Sequence, residues 1–281
     1  MGTYSLRKLW FAKELMKGID QMALDDRYPQ AGTGSTTRTD VRVDEGLRAY
    51  MLGVYNYMAA GVALTGLIAY ALTLVTTTSD PSLAAAILRN GTMLTQTGVA
   101  LYGSPLKWVI MLAPLAFVFF LSFRVHKMSV GAAQISFWAF AAVMGLSLSS
   151  IFLVYTGQSI VQVFFVTAAA FASLSVWGYT TKKDISGWGS FLFMGVIGIV
   201  IAALVNIFLQ SSALQFAISA IGVLVFAGLT AYDTQQIKDG YYQIRHDATL
   251  VAKGAIMGAL SLYLDFINMF TSLLSLFGSR E

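Results

Sequence analysis

Long apolar runs separated by short polar stretches make up most of the chain after its first 48 residues. Each run is close to the roughly 20 residues with which a helix crosses the hydrocarbon core of a bilayer. The runs are apolar on every side, which is typical of helices in lipid. They lie at residues 50–77, 104–123, 130–154, 160–181, 188–209, 213–237 and 254–277. The pattern therefore predicts an all-α polytopic membrane protein with seven transmembrane helices.

The first 48 residues differ from the rest of the chain. They contain no apolar run long enough for a signal peptide. Their stretch Ala31–Thr39 is rich in Gly, Ser and Thr, as flexible linkers are. We therefore predict a partly flexible N-terminal tail at residues 1–48 and a transmembrane domain at residues 49–281.

The composition supports a membrane protein. Only 11% of the residues are charged and 57% are hydrophobic, far from the roughly 25% charged residues of soluble domains. The net charge is +4, but the basic residues lie between the apolar runs rather than in one patch. We therefore predict the lipid bilayer as a partner and no nucleic acid. The chain has no cysteine, which excludes thiol catalysis and cysteine-ligated metals, and we predict no cofactor.

The connecting segments indicate the orientation in the membrane. Counted alternately along the chain, fifteen Lys and Arg residues fall on one side and three on the other. The positive-inside rule then places the N-terminus in the cytoplasm. Seven full spans put the C-terminus outside, whereas a re-entrant last segment would keep both ends inside.

Two carboxylates lie inside the apolar segments, Asp233 in the sixth and Asp265 in the seventh. An ionised carboxylate at the bilayer centre costs about 2.5–3.5 kcal/mol, so a functional role is the default. Asp233 lies five positions before Lys238, where it could also be interfacial. Asp265 lies twelve positions beyond Lys253, or about 18 Å along a helix, near mid-membrane. If the two approach each other, they should share a proton and form a pH sensor.

Small and polar side chains form one stripe along the seventh segment. The stripe consists of Gly254, Gly258, Ser261, Asp265, Asn268, Ser272 and Ser275. Alternating spacings of three and four residues place them on one helical face. Such a stripe is more often a packing surface than a pore lining. Asp265 and Asn268 nevertheless need partners or water at depth, which predicts a central last helix that faces a polar cavity.

The segments around the two aspartates, Phe226–Lys238 and Ser261–Phe270, closely resemble the bacterial branch of the transmembrane Bax inhibitor motif family. The resemblance leaves residues 1–45 uncovered. It implies seven helices with the last one central. It also implies a pH-sensitive calcium leak in which Asp233 and Asp265 form a hydrogen-bonded sensor near the cytoplasmic side. Bacterial relatives are further associated with modulating a membrane-anchored ATP-dependent protease.

Arg124 ends the second segment on the side predicted to be cytoplasmic. On the residues alone it is either an anchor that reaches the lipid headgroups or a counter-charge for Asp233. The family resemblance suggests a basic latch residue at the end of the second helix, and Arg124 is the nearest match. Relatives often carry an Arg in the closing segment Leu273–Gly278, where this chain has Ser275. A closing salt bridge made through that Arg is therefore not expected here.

Our leading hypothesis is a calcium-permeable leak channel of the bacterial inner membrane, gated by protonation of Asp233 and Asp265, and not an enzyme. Calcium prefers oxygen ligands, so the two carboxylates beside Asn268 and water would form a weak, transient site for the transported ion. The alternative is an interaction protein whose cytoplasmic tail modulates the protease or a stress response. An intramembrane aspartyl protease would need a Gly-x-Gly pattern where the bulky residues Leu262–Leu264 precede Asp265.

The predicted orientation can be tested with single cysteines, because the chain has none. We expect residues 1–45 and Lys238–Lys253 to be cytoplasmic. Ser35→Cys and Gln243→Cys should therefore resist a membrane-impermeant thiol reagent in intact cells and react with it after lysis. Labelling of either residue before lysis would overturn the orientation.

Overall fold

The computed structural model describes residues 36–88 and 90–280 as seven long helices with a small sheet after the first. The helices are α1 Thr36–Thr76, α2 Leu106–Arg124, α3 Val130–Leu148, α4 Gly157–Thr180, α5 Trp188–Leu209, α6 Ser212–Ile244 and α7 Ala248–Phe277. Six are long and apolar enough to cross a membrane, with α1 counted from Glu45. A seventh candidate span is α2 taken together with Gln96–Gly103, from which it is bent by 63°; the two segments form either a broken span or a re-entrant loop. The prediction of an all-α polytopic membrane protein is confirmed.

One compact unit begins at Glu45 and contains all seven spans. Most of the predicted tail at residues 1–48 lies outside the described residues. Its division from the transmembrane domain therefore stays a prediction.

The connection between α1 and α2 contains the sheet. Its strands are β1 Thr77–Thr78, β2 Ala86–Ile87 and β3 Met93–Leu94, in the antiparallel order β1-β3-β2. The sequence did not predict them, because strands of two residues are too short to show a period of two.

Side-chain caps determine where several helices begin. The Ser129, Thr156 and Ser211 hydroxyls accept hydrogen bonds from backbone N–H groups in the first turns of α3, α4 and α6. The Asp247 carboxylate accepts two such bonds at the start of α7. These side chains satisfy N–H groups that have no partner inside the helix. Gln210, at φ 49°, ends α5 in the left-handed conformation and lets α6 begin at once. Capping and turn residues thus make the tight helical hairpins.

The last helix is central, as predicted. In its most apolar window 56% of the residues are buried, against 33% or less for the other spans and 6% for α5. α7 packs against α3, α4 and α6. The Tyr263 side chain is fully buried and its ring meets Phe137 and Phe140 edge-on. Phe266 makes similar contacts with Phe164 and Phe171. Aromatic packing therefore surrounds α7 on the side of α3 and α4.

The C-terminus shows that α7 crosses the bundle completely. The Thr156 N–H donates to the Ser279 carbonyl over 3.0 Å, and the Ser279 N–H donates to Ser159 Oγ over 2.9 Å. These bonds join the end of α7 to the turn between α3 and α4, whereas its start follows the end of α6. The re-entrant alternative is therefore wrong.

Two faces of the bundle can now be named. The basic face carries residues 125–129, 181–187 and 245–247, which connect α2 to α3, α4 to α5 and α6 to α7. The hairpin face carries the α3–α4 and α5–α6 turns and residues 278–280.

The contact between α4 and α6 depends on Gly178. A Cβ added there would fall on the backbone of Ala231 in α6. We expect Gly178→Ala to lower the free energy of unfolding by about 1–3 kcal/mol, the range for overpacked sites. Thermal unfolding in detergent measures this, with Gly198→Ala as control, because nothing lies within 4 Å of a Cβ at Gly198. Equal melting temperatures for the two variants would contradict the close α4–α6 contact.

Candidate functional site

The candidate site lies between α6 and α7, which pack as antiparallel neighbours joined by residues 245–247. Small residues allow the close approach. A Cβ added to Gly258 would lie 3.1 Å from the Ile237 side chain, and one added to Gly222 would lie 2.7 Å from Ser272 Oγ. The stripe on the last helix therefore faces α6, and its glycines have the packing role common in membrane helices.

This packing brings the two aspartates together. The carboxyl groups of Asp233 and Asp265 lie within hydrogen-bonding reach of each other. Counting from Lys253 had suggested different depths, because α7 was expected to begin near residue 254. In the structure α6 continues to Ile244 and α7 begins at Ala248, so Lys253 lies inside the helix. The two helices also pass each other with α7 offset toward the basic face.

One carboxyl oxygen of Asp265 is buried without a hydrogen-bond partner among the described residues. Asp265 is 4% exposed, and Asp233 is half-buried. Within the described ranges, no N–H or O–H donor reaches Oδ2 of Asp265. A carboxylate is only an acceptor, so two carboxyl groups can bond each other only when one carries a proton. The geometry therefore fits a pair that shares one proton in an apolar setting.

A hydrogen-bond network sets the rotation of α7. Thr65 Oγ1 donates to the Ala141 carbonyl over 2.8 Å and lies 2.6 Å from Tyr263 Oη. Because Thr65 has one hydroxyl proton, Tyr263 is the donor in the second bond. The network joins α7 to α1 and α3 and leaves Asp265, two residues on, facing α6.

A second network approaches Asp233 from the other side. Tyr55 Oη lies 2.7 Å from Ser175 Oγ, which lies 2.9 Å from Thr234 Oγ1. Thr234 donates to the Thr230 carbonyl over 2.7 Å, so Ser175 donates to Thr234 and Tyr55 donates to Ser175. The sequence reasoning missed these residues, because lone hydroxyls in apolar helices are common and usually bond their own backbone.

Two residues of α6 that follow Asp233 bind the end of α4 and the connection between α4 and α5. Gln235 accepts from the Ile185 N–H over 3.0 Å and donates to the Lys183 carbonyl over 2.8 Å. Lys238 Nζ donates to the Tyr179 carbonyl over 2.8 Å and lies 5.3 Å from the centre of its ring. Lys238 was interpreted only as a topology signal. These contacts join α6 to the basic face directly beside Asp233.

The other predicted residues are not brought to the pair. Arg124 is exposed, and its side chain forms no hydrogen bond or ion pair with any of the side chains that the structure describes. Asn268 Nδ2 donates to the Leu264 carbonyl of its own helix over 2.8 Å. The latch role of Arg124 and the pathway role of Asn268 stay predictions.

The predicted polar cavity beside the pair stays a prediction. Three cavities in the described part of the chain are lined by neither Asp233 nor Asp265. Nor do the described residues contain a group of three or more His, Cys, Asp or Glu side chains that could bind a metal. The pair thus offers two carboxylates, fewer than the six to eight oxygen ligands of a tight calcium site.

Comparison with known proteins identifies the family of this chain. The pattern of the family described as inhibitor of apoptosis-promoting Bax1 matches residues 47–281. The chain belongs to the Bax inhibitor-like family. Inner membrane protein YbhL of Escherichia coli K12 is 44% identical over 257 residues, which cover 91% of this chain and all of YbhL. An uncharacterized Caulobacter vibrioides protein is 46% identical over 87% of this chain and 94% of its own length. A Streptococcus pyogenes membrane protein is 35% identical over 85% and 96%.

The shared hydrogen bond can be tested by comparing two substitutions at one position. Asp233→Asn keeps a donor for the buried carboxyl group of Asp265, whereas Asp233→Leu removes it. We expect Asp233→Leu to lower the free energy of unfolding by about 1–3 kcal/mol, the cost of an unsatisfied buried polar group. Asp233→Asn should stay close to the wild type. Thermal unfolding in detergent at neutral pH measures both, and equal losses would contradict the hydrogen bond.

Proposed function

We propose that this Bax inhibitor-like protein is a pH-sensitive, calcium-permeable leak channel of the bacterial inner membrane, gated by Asp233 and Asp265. The observation that carries the proposal is the contact between the half-buried carboxyl group of Asp233 and the buried one of Asp265, whose Oδ2 has no hydrogen-bond partner among the described residues. The similarity to an inner membrane protein supports the location. The calcium leak that the family resemblance implies supports calcium as the transported ion.

The shared proton stabilises the closed arrangement. When the proton leaves, two negative charges face each other in a low dielectric and repel. The repulsion acts across the α6–α7 contact, where Gly222 and Gly258 let the two helices pack closely. Since the closed state then binds one proton more than the separated state, a higher pH favours opening.

The same carboxylates would act on the ion. Once separated and charged, they attract a divalent cation and offer it oxygen ligands, which calcium prefers. Asn268 lies nearly one helical turn beyond Asp265 and can supply an amide oxygen. So few protein ligands bind calcium weakly, which a leak requires because the ion must leave as readily as it enters.

Calcium flux into liposomes that contain the purified protein tests the proposal. We expect the wild-type flux to rise between about pH 5 and 8, the interval in which a coupled carboxylate pair can titrate. Asp233→Asn and Asp265→Asn should each flatten this dependence, because Asn keeps the shape but does not titrate. Asp239→Asn changes an exposed residue of the same helix and should leave the profile unchanged.

Two outcomes would contradict the proposal. The first is a flux profile that both pair variants leave unchanged or that falls with pH in the wild type. The second is cleavage of a transmembrane peptide that both variants lose, without any ion flux. That result would make the pair the general acid and base of an intramembrane protease.

A further inference from the structure

A groove between α1 and α4 lies near the basic face and has a volume of about 490 Å³. Its walls are apolar, with Leu52 on α1 and Phe171 and Ala172 on α4. Arg48 and Tyr179 line it at the end nearest the basic face. Neither aspartate of the pair lines the groove, so the inference does not rest on the proposed function.

The groove is open to the surroundings of the bundle. The Leu52 side chain is 51% exposed, and Ala172 is also exposed. Both walls belong to helices that are long and apolar enough to span a membrane, so the open side faces the bilayer. Arg48 and Tyr55 are seven positions apart, which is about 10 Å along the axis of α1. The groove therefore extends from the headgroup level into the hydrocarbon. A groove with this position suits a lipid molecule.

Charge distinguishes among lipids. Arg48 is exposed, lines the mouth of the groove and forms no ion pair with any residue in 45–88 or 90–280. The hydroxyls of Tyr55 and Ser175 at the inner end are already used in the bonds that lead to Thr234. The inner end therefore offers no free O–H donor, and the charge of Arg48 is the feature that recognises a headgroup.

We infer that the groove binds one anionic glycerophospholipid from the bilayer. The lipid phosphate contacts Arg48, and one acyl chain lies along Leu52, Phe171 and Ala172. Basic pockets between membrane helices bind anionic headgroups in this way, and each Arg near the surface contributes about 1 kcal/mol. The competing occupant is the chain's own segment of residues 1–35, which precedes α1.

The experiment counts bound lipids on the full-length protein. Purified protein is equilibrated with mixed micelles of phosphatidylglycerol and phosphatidylcholine, and bound lipids are measured by native mass spectrometry. We expect one phosphatidylglycerol per chain at saturation. Arg48→Ala should lower its affinity about fivefold, which corresponds to about 1 kcal/mol, and affect phosphatidylcholine less. Arg245→Ala, an exposed Arg on the same face, should have no effect.

A second pair of variants tests the acyl part. Ala172→Trp fills the groove from an exposed position and should abolish the bound lipid, whereas Ser173→Trp lies on the neighbouring exposed position outside the groove and should not. Both variants are accepted only if their melting temperatures match that of the wild type. If Ala172→Trp fails this criterion, Leu52→Trp on the opposite wall replaces it.

Three results would overturn the lipid site. They are equal lipid binding in Arg48→Ala and Arg245→Ala, equal binding in Ala172→Trp and Ser173→Trp, and a severalfold gain in lipid binding when residues 1–35 are deleted. The last result would show that residues 1–35 of the chain itself occupy the groove.

Discussion

Two carboxyl groups can hydrogen-bond each other inside an apolar bundle only when one of them carries a proton. The packing of α6 against α7 brings Asp233 and Asp265 together in this way. Oδ2 of Asp265 has no hydrogen-bond partner among the described residues, and the carboxyl group of Asp265 interacts with that of Asp233. An unsatisfied polar group at this depth would cost more than a typical hydrogen bond contributes. In the proposed function, the protonation of this pair decides whether the contact stabilises the packing of α6 against α7 or opposes it.

The surroundings limit how the pair can respond. Thr65 and Tyr263 join α7 to α1 and α3, so α7 has little freedom to rotate. α6 is joined to α4 through Ser175 and Thr234, and to the α4–α5 connection through Gln235. The residues that follow Asp233 on α6 are thus hydrogen-bonded to α4 and to the basic face, whereas Asp265 lies two positions from a side chain bonded to α1.

The family relationship covers the same part of the chain as this arrangement. The family match covers residues 47–281, and the described helices of the bundle from Glu45 onward fall within it almost entirely. The peripheral α5, with 6% of its apolar window buried, contributes little to the core and mainly presents apolar surface to lipid.

Hydropathy and charge alone determined the seven helices, their order and the two carboxylates, because a bilayer demands long apolar segments and makes a buried charge conspicuous. The polar stripe likewise predicted that α7 is central. Other features depended on the tertiary structure. Whether Asp233 and Asp265 meet depends on how far α6 and α7 extend past the apolar segments and on how closely Gly222 and Gly258 let them pack. The roles of Tyr55, Ser175 and Gln235 depend on partners 50 or more positions away, and the spacing of residues along one chain carries no information about which helix faces which.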